Sequence, residues 1–275
     1  MNSNFYFKFP GRKYDFAHFS RDFFSSLFLH WKIWTVVAWT QTVMRYRRST
    51  LGPMWITLAT AITVGTIGPV YSKLFGTPLG DYFLYLSTSL VMWVYISQTL
   101  LESCGIFIAA QSYITNDRQY LCIHFFIMLA RSVILLAHNF VVLFFVYFFF
   151  SSPINMNTLM FPVGFFLATL NIIWIGLIIA LLCVRFRDLP QLVQSLINIS
   201  FLLTPIIWQV GAIGREAVML KANFFFHMIE VLREPLLGNQ VSMLSWIYLL
   251  ICAFIGLPLT FFVFAKFQRR IPFWL

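Results

Sequence analysis

Charge vanishes from this chain in long windows. No charged residue occurs from Ser49 to Ser72, from Tyr82 to Leu101, or from Ser132 to Val184. A helix needs about 20 apolar residues to cross a bilayer, so each of the first two windows predicts one span. The third is long enough for two, and the turn-forming run Ser151-Ser152-Pro153-Ile154-Asn155-Met156-Asn157 divides it into spans three and four. Span five is expected from Leu192 to Gly214 and span six from Leu244 to Ala265. The pattern predicts an all-α membrane protein with six transmembrane helices. Residues 1–48 form an amino-terminal segment, 49–265 the membrane domain and 266–275 a basic tail.

Two stretches have a different period. Phe16, Phe19, Phe23, Phe24, Leu27, Phe28, Trp31, Trp34 and Val37 recur at three- and four-residue steps, with Arg21, Asp22, Ser25, Ser26 and Lys32 on the other side. That arrangement predicts an amphipathic helix lying in the membrane interface. Between spans five and six, the apolar residues from Phe224 to Leu232 are interrupted by Glu230 and Arg233. This stretch is too short and too charged to cross. It reads as one or two short external re-entrant helices, with Pro235 and Gly238 marking the turn that follows.

Composition agrees with the windows. Of 275 residues, 60% are hydrophobic and 10% charged, where a soluble domain would carry about 25% charge. Hydrocarbon tolerates such a chain when its backbone is satisfied within helices. Placing both termini in the cytoplasm leaves Lys73, Arg215, Lys221 and Arg233 outside and the other basic residues, of 19 in all, inside. That bias orients a multi-pass membrane protein with its basic loops on the cytoplasmic side. It also accounts for most of the +10 net charge without a nucleic-acid partner.

Motifs for chemistry are scarce. The sequence has no G-x-x-x-x-G-K-[ST], G-x-S-x-G or H-E-x-x-H, so no cofactor or metal is expected on this chain. The five histidines share no ligand spacing, and Cys104, Cys122, Cys183 and Cys252 read as structural thiols. His138 and Asn139 are a polar pair inside a span, best explained by an interhelical hydrogen bond. Among the acids only Glu102 approaches the hydrocarbon, near the end of span two. Ion-driven transporters need midplane ion sites, so the energy for any transport must come from elsewhere.

Two sets of residues are candidates for contact with lipid or with a molecule in a pathway. Arg45, Arg47 and Arg48 precede the first span, where they can meet lipid phosphates. Trp93, Tyr95, Trp174 and Trp208 lie well inside predicted spans, and their flat faces with polar edges suit a sugar in a channel. A membrane-surface enzyme acting on lipid-linked sugars is the rival class, but the loops carry no paired carboxylates for it.

The run Arg45-Tyr46-Arg47-Arg48-Ser49-Thr50-Leu51-Gly52-Pro53-Met54-Trp55 opens the first span with Leu-Gly-x-x-Trp. Arg185-Phe186-Arg187-Asp188 follows span four, Pro205-Ile206-Ile207-Trp208 lies in span five, and Glu230-Val231-Leu232-Arg233-Glu234-Pro235-Leu236-Leu237-Gly238 lies outside. In this order, over nearly the whole chain, these motifs resemble the permease subunits of polysaccharide ABC exporters, a type-two ABC transporter permease family that exports O-antigen, capsule and teichoic acid chains. The carboxyl end from Arg269 to Leu275 is more similar to the O-antigen branch. Family members commonly carry a proline after the asparagine that opens the external helix, where this chain has Phe224 after Asn223. The resemblance implies a homodimer with its channel at the subunit interface and a separate cytoplasmic ATP-binding subunit that holds ATP and Mg. It implies that Asn116, Asp117 and Arg118 couple to that subunit, flanked by Arg185, Arg187 and Asp188. Lipid-linked polysaccharide is then the cargo, with membrane lipid around it. A drug or small-lipid exporter of the same architecture is the alternative.

Overall fold

The computed structural model describes residues 16–47, 49–50, 52, 54–116, 121–150, 155–212 and 218–275. Among them the regular structure is helical throughout. Five stretches are long and apolar enough to cross a membrane. They are built on α3 (Met54–Phe75), α4 (Leu79–Ser103), α7 (Leu121–Phe150), α8 (Phe161–Arg185) and α12 (Met243–Phe267). Before them come α1 (Phe16–Phe24) and α2 (Trp31–Arg45), and short helices α5 (Ile106–Ala109) and α6 (Gln111–Asn116) join α4 to α7. The others are α9 (Leu189–Leu203), α10 (Val218–Ala222), α11 (Phe224–Leu236) and α13 (Ile271–Trp274).

The charge-free windows locate the spans but not all of their ends. Helix α7 begins at Leu121, well before Ser132, because Arg131 is paired inside the protein and does not need water. The expected span five is interrupted. Its helix stops at Leu203, and Thr204 to Trp208 is not helical. Pro205 contributes, since it lacks an N–H and disfavours helix at the residue before it.

The interface helix also departs from expectation. It is broken by a wide turn at Ser25–Leu29, closed by the His30 N–H on the Ser25 carbonyl at 3.0 Å. Phe19 and Phe23 are buried, but so are Asp22, Ser25 and Ser26, which the periodicity put on the water side. Phe24, Phe28 and Trp31 are exposed.

Helix α4 is enclosed by its neighbours, with Leu86, Val91, Met92, Ile96 and Leu100 buried against α3, α7, α8 and α11. Asn139 on α7 bonds across to α3, where the Thr60 hydroxyl donates to its carbonyl oxygen at 3.3 Å. Helix α11 is no surface helix: every residue from Phe226 to Leu236 is buried. Asn223 supplies the start that a proline would otherwise provide, its side-chain oxygen accepting the Phe226 N–H at 3.2 Å.

Close approach of α8 to α11 requires a glycine. A Cβ at Gly164 would collide with the backbone carbonyl of Val231, which cannot swing aside. Gly164→Leu is expected to cost at least about 1–3 kcal/mol, the usual penalty for overpacking. Thermal unfolding in detergent checks this, with Val163→Leu, at a residue 53% exposed, as the neutral control.

Candidate functional site

Three polar assemblies stand out in this apolar bundle. Two lie at its basic end, where α2 finishes and α3 starts. Glu102, in the last turn of α4, accepts from Arg45 Nη1 at 3.1 Å and from Arg131 Nη2 at 2.6 Å. Arg131 Nη1 donates to Gln41 Oε1 at 2.8 Å. With His124 and Tyr113 these residues line a cavity of about 260 Å³. Among the described residues, the buried Nε of Arg131 and Nε2 of His124 have no hydrogen-bond partner. Arg45 is thus already paired, Arg47 is exposed, and Arg48 lies outside the described residues. Arg131 and His124 were missed in the sequence, although their seven-residue spacing puts them on one face of α7.

The second assembly gathers the ends of several elements. The Arg187 Nη2 group donates to the carbonyls of Trp274 and Leu275 at 3.3 and 3.1 Å. Arg185 lies over the Trp274 ring at 5.4 Å, and Gln111 on α6 donates to the Leu275 carbonyl at 3.3 Å. Asp188 is exposed at the start of α9. Asn116 ends α6, and Asp117 and Arg118 lie outside the described residues. Nearby, Asp22 of α1 caps α7: its carboxylate accepts the Leu121 N–H at 3.0 Å. Burial pushes this carboxyl above its ordinary range, and the bonds from Ser26, Cys122 and Leu121 act against that rise.

The third assembly sits at the break after α9. Pro205, Ile207 and Trp208 have carbonyls that no helix satisfies. The Tyr85 hydroxyl lies 2.8 Å from both the Pro205 and Trp208 carbonyls, and the Tyr82 hydroxyl donates to Ile207 at 2.8 Å. Arg233 Nη1 donates to Pro205 at 2.7 Å and to the Ser89 hydroxyl oxygen at 3.2 Å. Its Nε and Nη2 donate to Glu234 Oε1 at 3.1 and 2.9 Å, and its guanidinium lies 4.4 Å from the Tyr85 ring centre. Asn223 closes the other side, donating to the Leu203 carbonyl at 3.3 Å.

The sequence matches the ABC-2 type transporter family over residues 33–237. The chain belongs to that family. Comparison with curated proteins finds no relative that matches. As an ABC-2 transporter, the chain is a multi-pass membrane component, and membership implies a cytoplasmic ATP-binding partner. The match runs from α2 to α11 and so includes the broken helix with its clasp; α1 and α12 lie outside it.

The four aromatic candidates of this transporter are placed as follows. Trp93 is buried between Phe201 and Phe225, with ring centres 5.8 and 5.5 Å away. The buried Tyr95 bonds to the Thr169 hydroxyl at 3.1 Å. Trp174 donates to Asn171 Oδ1 at 3.0 Å and covers Gly256 on α12. Trp208 is half-buried at the break and donates to the Leu202 carbonyl at 3.1 Å. A further buried group joins α11 to α12: Ser245 donates to Glu230, and His227 Nδ1 meets Ser245 Oγ at 2.7 Å. Among the described residues no three potential ligands come together to hold a metal ion.

Removing the Arg233 side chain strands the Glu234 carboxylate and takes a donor from the Pro205 carbonyl in a water-poor interior. Arg233→Ala should cost about 3–5 kcal/mol, as breaking a buried ion pair does. Tyr85→Phe, which takes one hydroxyl from two carbonyls, should cost about 1–3 kcal/mol. Thermal unfolding of the two variants in detergent gives the order, and equal stabilities would contradict the clasp.

Proposed function

We propose that this chain is the permease of an exporter of lipid-linked polysaccharide, with O-antigen as the first candidate substrate. It works as a homodimer in a bacterial inner membrane, with both termini cytoplasmic and one ATP-binding subunit per permease. Helix α9 and the clasped segment after it take the place of the fifth of six spans.

One observation carries this reading. Gln191, Gln194, Ser195 and Asn198 form a row on α9, and all are exposed. On the same helix only Ile197 is buried. Gln194 Nε2 donates to Asn198 Oδ1 at 3.0 Å and the Ser195 hydroxyl donates to the Gln191 carbonyl at 3.0 Å. Exposed side-chain amides are nevertheless expensive in hydrocarbon, so such a row belongs against water or another subunit. Two copies meeting along α9 and the sparsely buried α3 would enclose a polar path. Amides and hydroxyls there suit a cargo rich in hydroxyl groups, and Trp208 stands at its outer end beside the break.

At the basic end, Arg45 and Arg131 flank the cavity closed by Glu102. With Arg47 and Arg48 they supply positive charge for the phosphates of a lipid-linked cargo. The coupling face for the ATP-binding subunit is made by Asn116, Asp117 and Arg118 together with Arg185, Arg187 and Asp188.

Replacing both Gln194 and Asn198 by Leu should cut surface polymer at least tenfold without reducing the amount of protein in the membrane, since both positions are exposed. Wild-type export from that double variant would remove α9 from the pathway. Asp117→Ala and Arg118→Ala should each lower polymer-stimulated ATP hydrolysis while insertion stays intact; wild-type activity from both would sink the coupling assignment.

A further inference from the structure

Helix α7 receives its cap from another element. The first amides of any helix have no partner within it, and a carboxylate placed there satisfies them and meets the positive end of the helix dipole. Asp22 does this from α1. Its Oδ2 accepts the Leu121 N–H at 3.0 Å, its Oδ1 accepts the Ser26 hydroxyl at 3.1 Å, and the Cys122 N–H also bonds to the carboxylate. At 2% exposure the carboxylate is sealed from water. Its helix is fixed from the other side: Phe19 stacks on Phe264 of α12 at 4.7 Å, and Phe23 packs on Phe126 of α7 at 5.3 Å. Asp22 lies outside the stretch that matches the family, residues 33–237.

We infer that Asp22 is a positioning residue for the connection between α6 and α7. Its carboxylate fixes the first turn of α7 to the interface helix, and with it the point where that connection rejoins the bundle. A push on the connection from the cytoplasmic side is then carried to α1 and α7 together, rather than lost in fraying of the first turn. The inference rests on the coupling role proposed for Asn116 to Arg118.

The test compares Asp22→Ala, Asp22→Asn and Arg118→Ala in the complete complex with its ATP-binding subunit, in nanodiscs. Two readouts are taken. One is amide hydrogen exchange at the start of α7. The other is the ratio of stimulated to basal ATP hydrolysis, with lipid-linked polymer extracted from the host membranes as the probe. Asp22→Ala should speed exchange at Leu121 and Cys122 by about tenfold, the usual weight of a lost cap, and lower the ratio. Asp22→Asn should restore both, because its amide oxygen can take the Leu121 N–H and its NH₂ can donate to Ser26. Should Asp22→Ala fail to accumulate, Ser26→Ala should give a smaller shift in the same direction. Unchanged exchange overturns the cap. Faster exchange with an unchanged ratio, while Arg118→Ala lowers it, overturns the positioning role and leaves the coupling face standing. An unchanged ratio in both Asp22→Ala and Arg118→Ala removes the coupling face, and the inference with it.

Discussion

The carbonyls of Pro205, Ile207 and Trp208 impose the constraint on which much of this fold depends. The 15 residues of α9 rise about 22 Å at the helical spacing, short of the roughly 30 Å of hydrocarbon. The break after Leu203 leaves these carbonyls without helical partners, and their donors come from other parts of the protein. Tyr82 and Tyr85 on α4 and Arg233 on α11 supply them. Each donor brings a further requirement. A buried guanidinium needs a counter-charge, which Glu234 provides, and Glu234 is in turn held by Asn239 at 3.0 Å. Helix α11 must then lie deep enough to deliver Arg233, and Gly164 lets α8 close over it. One interrupted helix thus accounts for the buried Arg233–Glu234 pair in a chain with so little charge.

Much of the architecture is legible in the sequence. Windows without charge locate the long helices because lipid excludes charge from most positions. The rule fails where charge is paired. Arg131 sits inside α7 because Glu102 and Gln41 hold it. Glu230, Arg233 and Glu234 made α11 look like an interfacial segment, although each has a partner inside the bundle. Periodicity placed Asp22 and Ser26 in water for the same reason: it reads polar side chains as solvated, and cannot see an amide terminus waiting on another helix. The Leu-Gly-x-x-Trp junction carries one readable backbone signal. Gly52 has φ +59°, in the left-handed region that favours glycine.

The candidate residues divide along similar lines. Arg185 and Arg187, chosen as flanks of the coupling face, grip the residues Trp274 and Leu275 that α12 and α13 bring round to α6. That contact gathers four elements at the basic end. The aromatics Trp93, Tyr95 and Trp174 take part in packing within the subunit, whereas the exposed row on α9 is amide and hydroxyl. Flat rings do not mark that row, and Gln and Asn in an apolar helix stand out only because the fold leaves them uncovered.

Deleting the chromosomal copy and comparing surface with total polysaccharide, on a gel of extracted lipopolysaccharide, tests the export function most directly. The expected result is loss of the surface ladder with accumulation of lipid-linked polymer inside the cell. An unchanged ladder, or absence of polymer from both fractions, would contradict it.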